Sequence, residues 1–146
     1  PWGRTVTSTS RRDNRPENRS KEDAFVLGNK AKDLYIYTSE AIGNTNIIPK
    51  HRRHTAGQRL ENMTFEIMDK CYLANTKSLK TKREERQALQ EEIMALCLVF
   101  ENLINALKAS KAYPGIDAHK AEIWTQKSMD VRFLCAAWYK SDMARR

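Results

Sequence analysis

The chain has few of the residues that bend, staple or catalyse: 5 glycines, 4 prolines, 3 cysteines and 3 histidines in 146 residues. Glycine and proline fall at or near the gaps between apolar segments, apart from Gly28 and Gly57. No segment alternates with period two, which argues against strands. Cys71, Cys97 and Cys135 lie in three separate apolar segments. An odd, dispersed set without paired-Cys zinc spacing suggests neither a disulfide framework nor a metal knuckle, and reads as buried structural thiols. No hydrophobic run is long enough to cross a bilayer and no signal-peptide pattern occurs, so no membrane partner and a reducing cytoplasm are expected. The Glu-x-x-His spacing of di-iron bundles is missing. His119 and Glu122 occur in the reverse order and read as polar positions of a helix start. Without a glycine-rich phosphate loop or a recognisable nucleophile motif, the chain is expected to be no enzyme and to hold no cofactor or metal.

Acid is scarce as well. Twenty-six Lys and Arg stand against 18 Asp and Glu, for a net charge of +8 and a pI near 9.5, and an anionic partner is the first expectation. Residues 1–20 carry five Arg against Asp13 and Glu17, with only Trp2 and Val6 as sizeable apolar groups. Such a composition cannot bury enough surface to order itself. It predicts a disordered basic arm that either touches a polyanion or only solubilises the chain.

What is present is helical periodicity. Ala24, Leu27, Ala31, Leu34, Thr38 and Ala41 step by three and four, the spacing that keeps one helix face inward. Three further stripes follow: Ala56, Leu60, Met63, Ile67, Cys71 and Ala74; then Leu89, Ile93, Leu96, Phe100, Leu103 and Leu107; then Ala121, Trp124, Ser128, Val131, Cys135 and Trp138. Gly43 and Asn44 suit a helix end. Thr55 with Gln58 and Thr81 with Glu84 have capping-box spacing, and Asp117 suits an N-cap after Tyr113, Pro114 and Gly115. These signals predict helices over about residues 21–43, 50–76, 82–112 and 117–142 within one domain, 21–146. The expected fold is all-α, an antiparallel up-down-up-down four-helix bundle.

The third helix has more apolar surface than one stripe uses. From Ile93 to Leu107 only Glu101, Asn102 and Asn105 are polar. Met94, Leu98 and Val99, with Phe65, Met68 and Tyr72 on the second helix, predict an oligomer interface, the surface of a symmetric homo-oligomer. The alternative is a broad inward surface within one chain.

The base collects near the connections. Lys50, Arg52, Arg53 and Arg59, with His54 among them, have no acid before Glu61 and crowd a predicted helix start, where the peptide dipoles disfavour cations. Lys77, Lys80, Lys82, Arg83 and Arg86 form a second cluster, with Glu84 and Glu85 available for local pairing. Both clusters are candidate nucleic-acid or partner-binding sites, with Arg132 and Lys140, and Arg145 and Arg146 beyond them, as an extension from the fourth helix.

The run Ile48-Pro49-Lys50 before a helix, the stripe that follows it, the apolar third helix and the terminal Ala136-Ala137-Trp138-Tyr139-Lys140-Ser141 together resemble the accessory variability determinant family. Those proteins serve diversity-generating retroelements of bacteria and phages. The likeness covers about residues 24–141; Ala136 and Ala137 stand where the family often has glycine, and residues 1–20 have no counterpart. The resemblance implies a homopentamer of four-helix bundles with no catalytic activity, whose partners are the reverse transcriptase, its template RNA or RNA/cDNA, and further copies of itself. It implies that Lys50, Arg52, Arg53 and Arg59 lie against RNA or an acidic face of the transcriptase. The chain is also similar to the four-helix proteins encoded by intervening sequences of ribosomal RNA genes. A basic scaffold without any nucleic-acid role is the third alternative.

Overall fold

The computed structural model describes the backbone of residues 16–145 and the side chains of residues 26–145. The described residues form four long helices and no strand: α1 (Pro16–Gly43), α2 (Gln58–Asn75), α3 (Arg83–Ala109) and α4 (Ala118–Ala144). α1 begins at Pro16, so the last five residues expected in the basic arm belong to its first turns; residues 1–15 lie outside the described residues. Proline suits such a start, because its missing N–H has no helical partner there anyway.

α1 and α3 each pack against both α2 and α4, the arrangement of a four-helix bundle. Side-chain contacts tie the helices together. Thr38, late in α1, accepts a 2.9 Å hydrogen bond from Trp124 Nε1, early in α4. Arg86, at the start of α3, meets Asp142 at the end of α4, and Gly28 of α1 lies under the Tyr72 ring of α2.

The core stripes of α2 and α4 lie where periodicity places them, with Leu60, Met63, Ile67, Cys71 and Ala74 facing Ala121, Trp124, Ser128, Val131, Cys135 and Trp138, all buried. Ala56, expected to lead the second stripe, is half-buried. In α1 Leu27, Ala31, Leu34, Thr38 and Ala41 are buried as expected, while the side chain of Ala24 lies outside the described residues. Fully burying a Leu or Ile side chain is worth about 1.5–3 kcal/mol. α3 departs from its expected stripe: Leu89, Leu96 and Leu103 are only half-buried, and Arg86, Gln90, Cys97, Glu101 and Ile104 take the core positions beside Ile93, Phe100 and Leu107. The helix is rotated because its inward polar groups find partners on α4. Asp142, fully buried, accepts from Arg86 Nε at 2.7 Å and Nη2 at 2.9 Å and from Gln90 Nε2 at 2.8 Å. Glu101 accepts from Arg132 Nε at 3.1 Å and Nη2 at 2.9 Å, with the Ser128 hydroxyl 2.9 Å away.

The connections explain two corrections. Thr55 caps nothing: its hydroxyl donates to the Arg52 carbonyl, inside a 3-10 turn (Lys50–Arg52) and a wide π turn (Arg53–Gly57) that lead into α2. Pro49, lacking an N–H, starts this irregular winding. Buried Gly57 ends it, where an added Cβ would sit 3.2 Å from Ile42 Cγ2. Thr81 does not cap α3 either; Lys82 holds that position without a side-chain bond, and the backbone N–H groups of Lys80 and Thr81 turn to Ser78 Oγ. Asp117 does cap α4, accepting from the Lys120 N–H at 2.8 Å, and this bond holds its carboxyl below the ordinary range.

Candidate nucleic-acid and partner-binding surfaces

The α1–α2 and α3–α4 connections meet at one end of the bundle. Gly115 lies against the Asn46 backbone, and buried Ile48, Tyr113 and Ile116 close the core there. The first basic cluster sits on this end. The Arg52 guanidinium stands over the Tyr113 ring at 5.6 Å. Arg53 Nη2 donates to the Gly43 carbonyl at 3.0 Å, where the α1 dipole is negative. Both side chains are half-buried and both leave a buried Nε without a partner. Lys50, His54 and Arg59 are exposed. No carboxylate among the described residues pairs with Lys50, Arg52, Arg53 or Arg59.

The second cluster lies at the opposite end, separated by the 18 residues of α2, about 27 Å of helix. Its cations are largely engaged within the chain. Lys77 and Lys82 lie 3.9 and 3.7 Å from Glu85. Arg83 donates to the carbonyls of Asp142 and Arg145 and so closes the end of α4. Arg86 is buried on Asp142 and stacks on Trp138 at 4.6 Å. Lys80 and Lys140 are exposed and point outward unpaired. Arg132 is in mid-helix, held by Glu101, whose hydrogen bonds push the guanidinium pKa up, with Phe133 beneath it at 4.7 Å. The structure therefore separates the expected site residues into one basic end without acids, one end where Lys77, Lys82, Arg83 and Arg86 are engaged within the chain and Lys80 and Lys140 are not, and an isolated ion pair.

The expected oligomer residues are not contiguous. Phe65 stacks on Tyr35 of α1 at 4.8 Å and Tyr72 covers Gly28, which places both, with Met68 between them on the same stripe, on the α1–α2 side. Met94 and Leu98 continue the stripe that reaches Glu101, toward α4, whereas Val99 lies beside Leu96 and Met63 on the α2–α3 side. Phe65, Tyr72, Leu98 and Val99 are exposed, between 39% and 49%.

An open cleft of about 500 Å³ runs between α2 and α3, lined by His54, Thr55, Gln58, Arg59, Asn62, Met63, Glu66, Leu96 and Val99. It starts within the open basic end. No group of three or more His, Cys, Asp or Glu among the described residues could hold a metal ion. No helix among them is long and apolar enough to cross a membrane.

Sequence reasoning missed Tyr113 as the seat of Arg52, and missed the Arg86–Gln90–Asp142 group. Neither has a local signal, since the partners are separated by 61 positions (113 minus 52) in one case and by 56 in the other. Comparison with family models, curated proteins and solved structures finds no match to this chain.

Proposed function

We propose that this chain is a non-catalytic accessory protein of a diversity-generating retroelement, which binds structured template RNA and the reverse transcriptase through the open basic end of an antiparallel bundle. The observation that carries this reading is the contrast between the two ends. At one end Lys50 and Arg59 are exposed with no carboxylate partner and Arg52 and Arg53 stand behind them, so none of its four Lys and Arg meets an acid; at the other, Glu85, Asp142 and the end of α4 engage Lys77, Lys82, Arg83 and Arg86 and leave Lys80 and Lys140 exposed. Uncompensated cations on a rigid helix end release counterions when they meet phosphates, and they bind a polyanion with strong salt dependence. The exposed apolar residues on three sides of the bundle favour self-association in a ring, the pentamer that the family resemblance implies.

The test is a salt titration of affinity for a labelled structured RNA. Lys50→Glu with Arg59→Glu touches no internal bond of the described residues, so the fold should stay intact. Affinity should fall tenfold or more at moderate salt, and the log–log salt slope should drop by about one unit per lost cation. Unchanged affinity and slope would leave this end a solvated surface and favour a basic scaffold. Native mass measurement in parallel reports the subunit number, and a monomer at all concentrations refutes the ring.

A further inference from the structure

The cleft between α2 and α3 has a polarity of its own. Its mouth is cationic, with His54 and Arg59; Asn62 lies one turn further along α2, and Glu66 one turn beyond that, while Leu96 and Val99 supply an apolar wall from α3. The seven positions from Arg59 to Glu66 span about 10 Å along the helix, the reach of one nucleotide from its phosphate to the far edge of its base. A protein backbone offers no charge at the mouth and no flat face for the wall. A nucleotide offers both, and at the inner end an exocyclic amino group such as that of cytosine suits the Glu66 carboxylate while a ring nitrogen can accept from the Asn62 amide.

We propose that this cleft is a subsite for one unpaired nucleotide of an RNA strand, with the phosphate at His54 and Arg59, the base face against Leu96 and Val99, and the base edge toward Asn62 and Glu66. The inference rests on the RNA-binding reading of the adjacent basic end and sharpens it, from polyanions in general to a strand with an unpaired base. Duplex RNA, whose bases are stacked inside, reaches only the cationic mouth. Glu66 lies 3.8 Å from Lys70 Nζ, the longer of two contacts, since Lys70 is 3.3 Å from Glu92.

The experiment compares labelled oligocytidine, which is single-stranded at neutral pH, with a duplex RNA of the same length. The variants are Val99→Trp and Asn62→Trp, which fill the cleft from opposite sides at exposed positions without changing charge, each checked for an unaltered melting curve. Both should weaken oligocytidine binding by about five- to tenfold and leave duplex affinity and its salt slope unchanged. Cytidine monophosphate should compete for the same effect. Unchanged oligocytidine affinity in both variants, with the Lys50→Glu, Arg59→Glu protein still impaired, overturns the subsite and leaves the basic-end reading standing. Equal losses for oligocytidine and duplex also overturn it. So does competition by polyglutamate as effective as by the nucleotide, which would assign the cleft to an acidic protein segment. If the charge reversal has no effect on either RNA, both readings fall together.

Discussion

Asp142→Ala is the sharpest test of what holds α3 and α4 in register. Asp142 is fully buried and accepts from both Nε and Nη2 of Arg86, at 2.7 and 2.9 Å, and from Gln90 Nε2 at 2.8 Å. Removing the carboxylate takes two hydrogen bonds and the counter-charge from a guanidinium with 9% side-chain exposure, which keeps the Lys77 carbonyl at 3.2 Å, and takes the acceptor from the buried Gln90 Nε2. Stranding a buried charge costs about 3–5 kcal/mol, a large part of the ~5–15 kcal/mol that keeps a domain folded. For a chain of this size the Tm should fall by about 10–15 °C, measured by circular dichroism or scanning calorimetry. Glu101→Ala supplies the contrast, because its partner Arg132 has 25% side-chain exposure and can turn into water; about 1–2 kcal/mol is expected there. Replacing the pair together, Arg86→Met with Asp142→Leu, should regain most of the loss, because the cost lies in the unpaired charge. A Tm for Asp142→Ala within about 3 °C of the parent would refute the reasoning and make the pair a bystander to apolar packing.

Three further outcomes are expected. Gly115→Ala would drive a methyl to within 1.9 Å of the Asn46 carbonyl oxygen and 2.8 Å of its carbon; the two connections must separate, at about 1–3 kcal/mol, and a Tm equal to that of the parent would show that they do not touch. The Asp117 carboxyl is held below its ordinary value, first by the Lys120 N–H. A lowered folded-state pKa gives stability above the unfolded pKa that is lost as pH falls through the folded one, so Asp117→Ala should melt below the parent at neutral pH and converge with it in acid; a gap that persists in acid contradicts the cap. Burial pushes the Cys97 and Cys135 thiols up to about 12 and raises Cys71 as well. A disulfide reagent at mildly alkaline pH should therefore leave the native protein untouched and titrate all three cysteines in denaturant, whereas fast native labelling would place a thiol outside the core.

The periodicity of α2 and α4 was legible because the inward positions from Leu60 to Ala74 and from Ala121 to Trp138 are apolar or small, down to Thr64 and Ser128, and buried Asp142 lies beyond the stripe at the end of α4. α3 was not. Leu89, Leu96 and Leu103 make a better apolar series than Arg86, Gln90, Cys97 and Glu101, yet the second set is inward because Asp142 and Arg132 wait on α4. A charge inside is only readable once its partner is known, and 31 positions separate Glu101 from Arg132. The capping boxes failed for a related reason: Thr55 and Thr81 had the right spacing but stood in turns set by Pro49 and Ser78. Of the candidate site, the position of the first basic cluster was readable as a run of cations without acids. Its openness relative to the second cluster was not, since that depends on which helix end each cluster faces.

That dependence also answers why cations gather where a helix begins. In a bundle whose helix starts lie beside helix ends, a side chain near one start can reach the carbonyls of a neighbouring end. Arg53, ahead of α2, donates to Gly43 at the end of α1; Arg83, at the start of α3, donates to Asp142 and Arg145 at the end of α4. The field of its own helix disfavours each guanidinium, but the negative pole of the neighbour favours it, at about 0.3–1 kcal/mol apiece at exposed sites. The repeated device makes these two arginines structural at both ends of the molecule, and it ties up donors that a ligand would otherwise meet while leaving their charge in the field. Lys50 and Arg59 have neither a carbonyl nor a carboxylate among the described residues. Their donors are free, so a polyanion would meet them before the two anchored arginines.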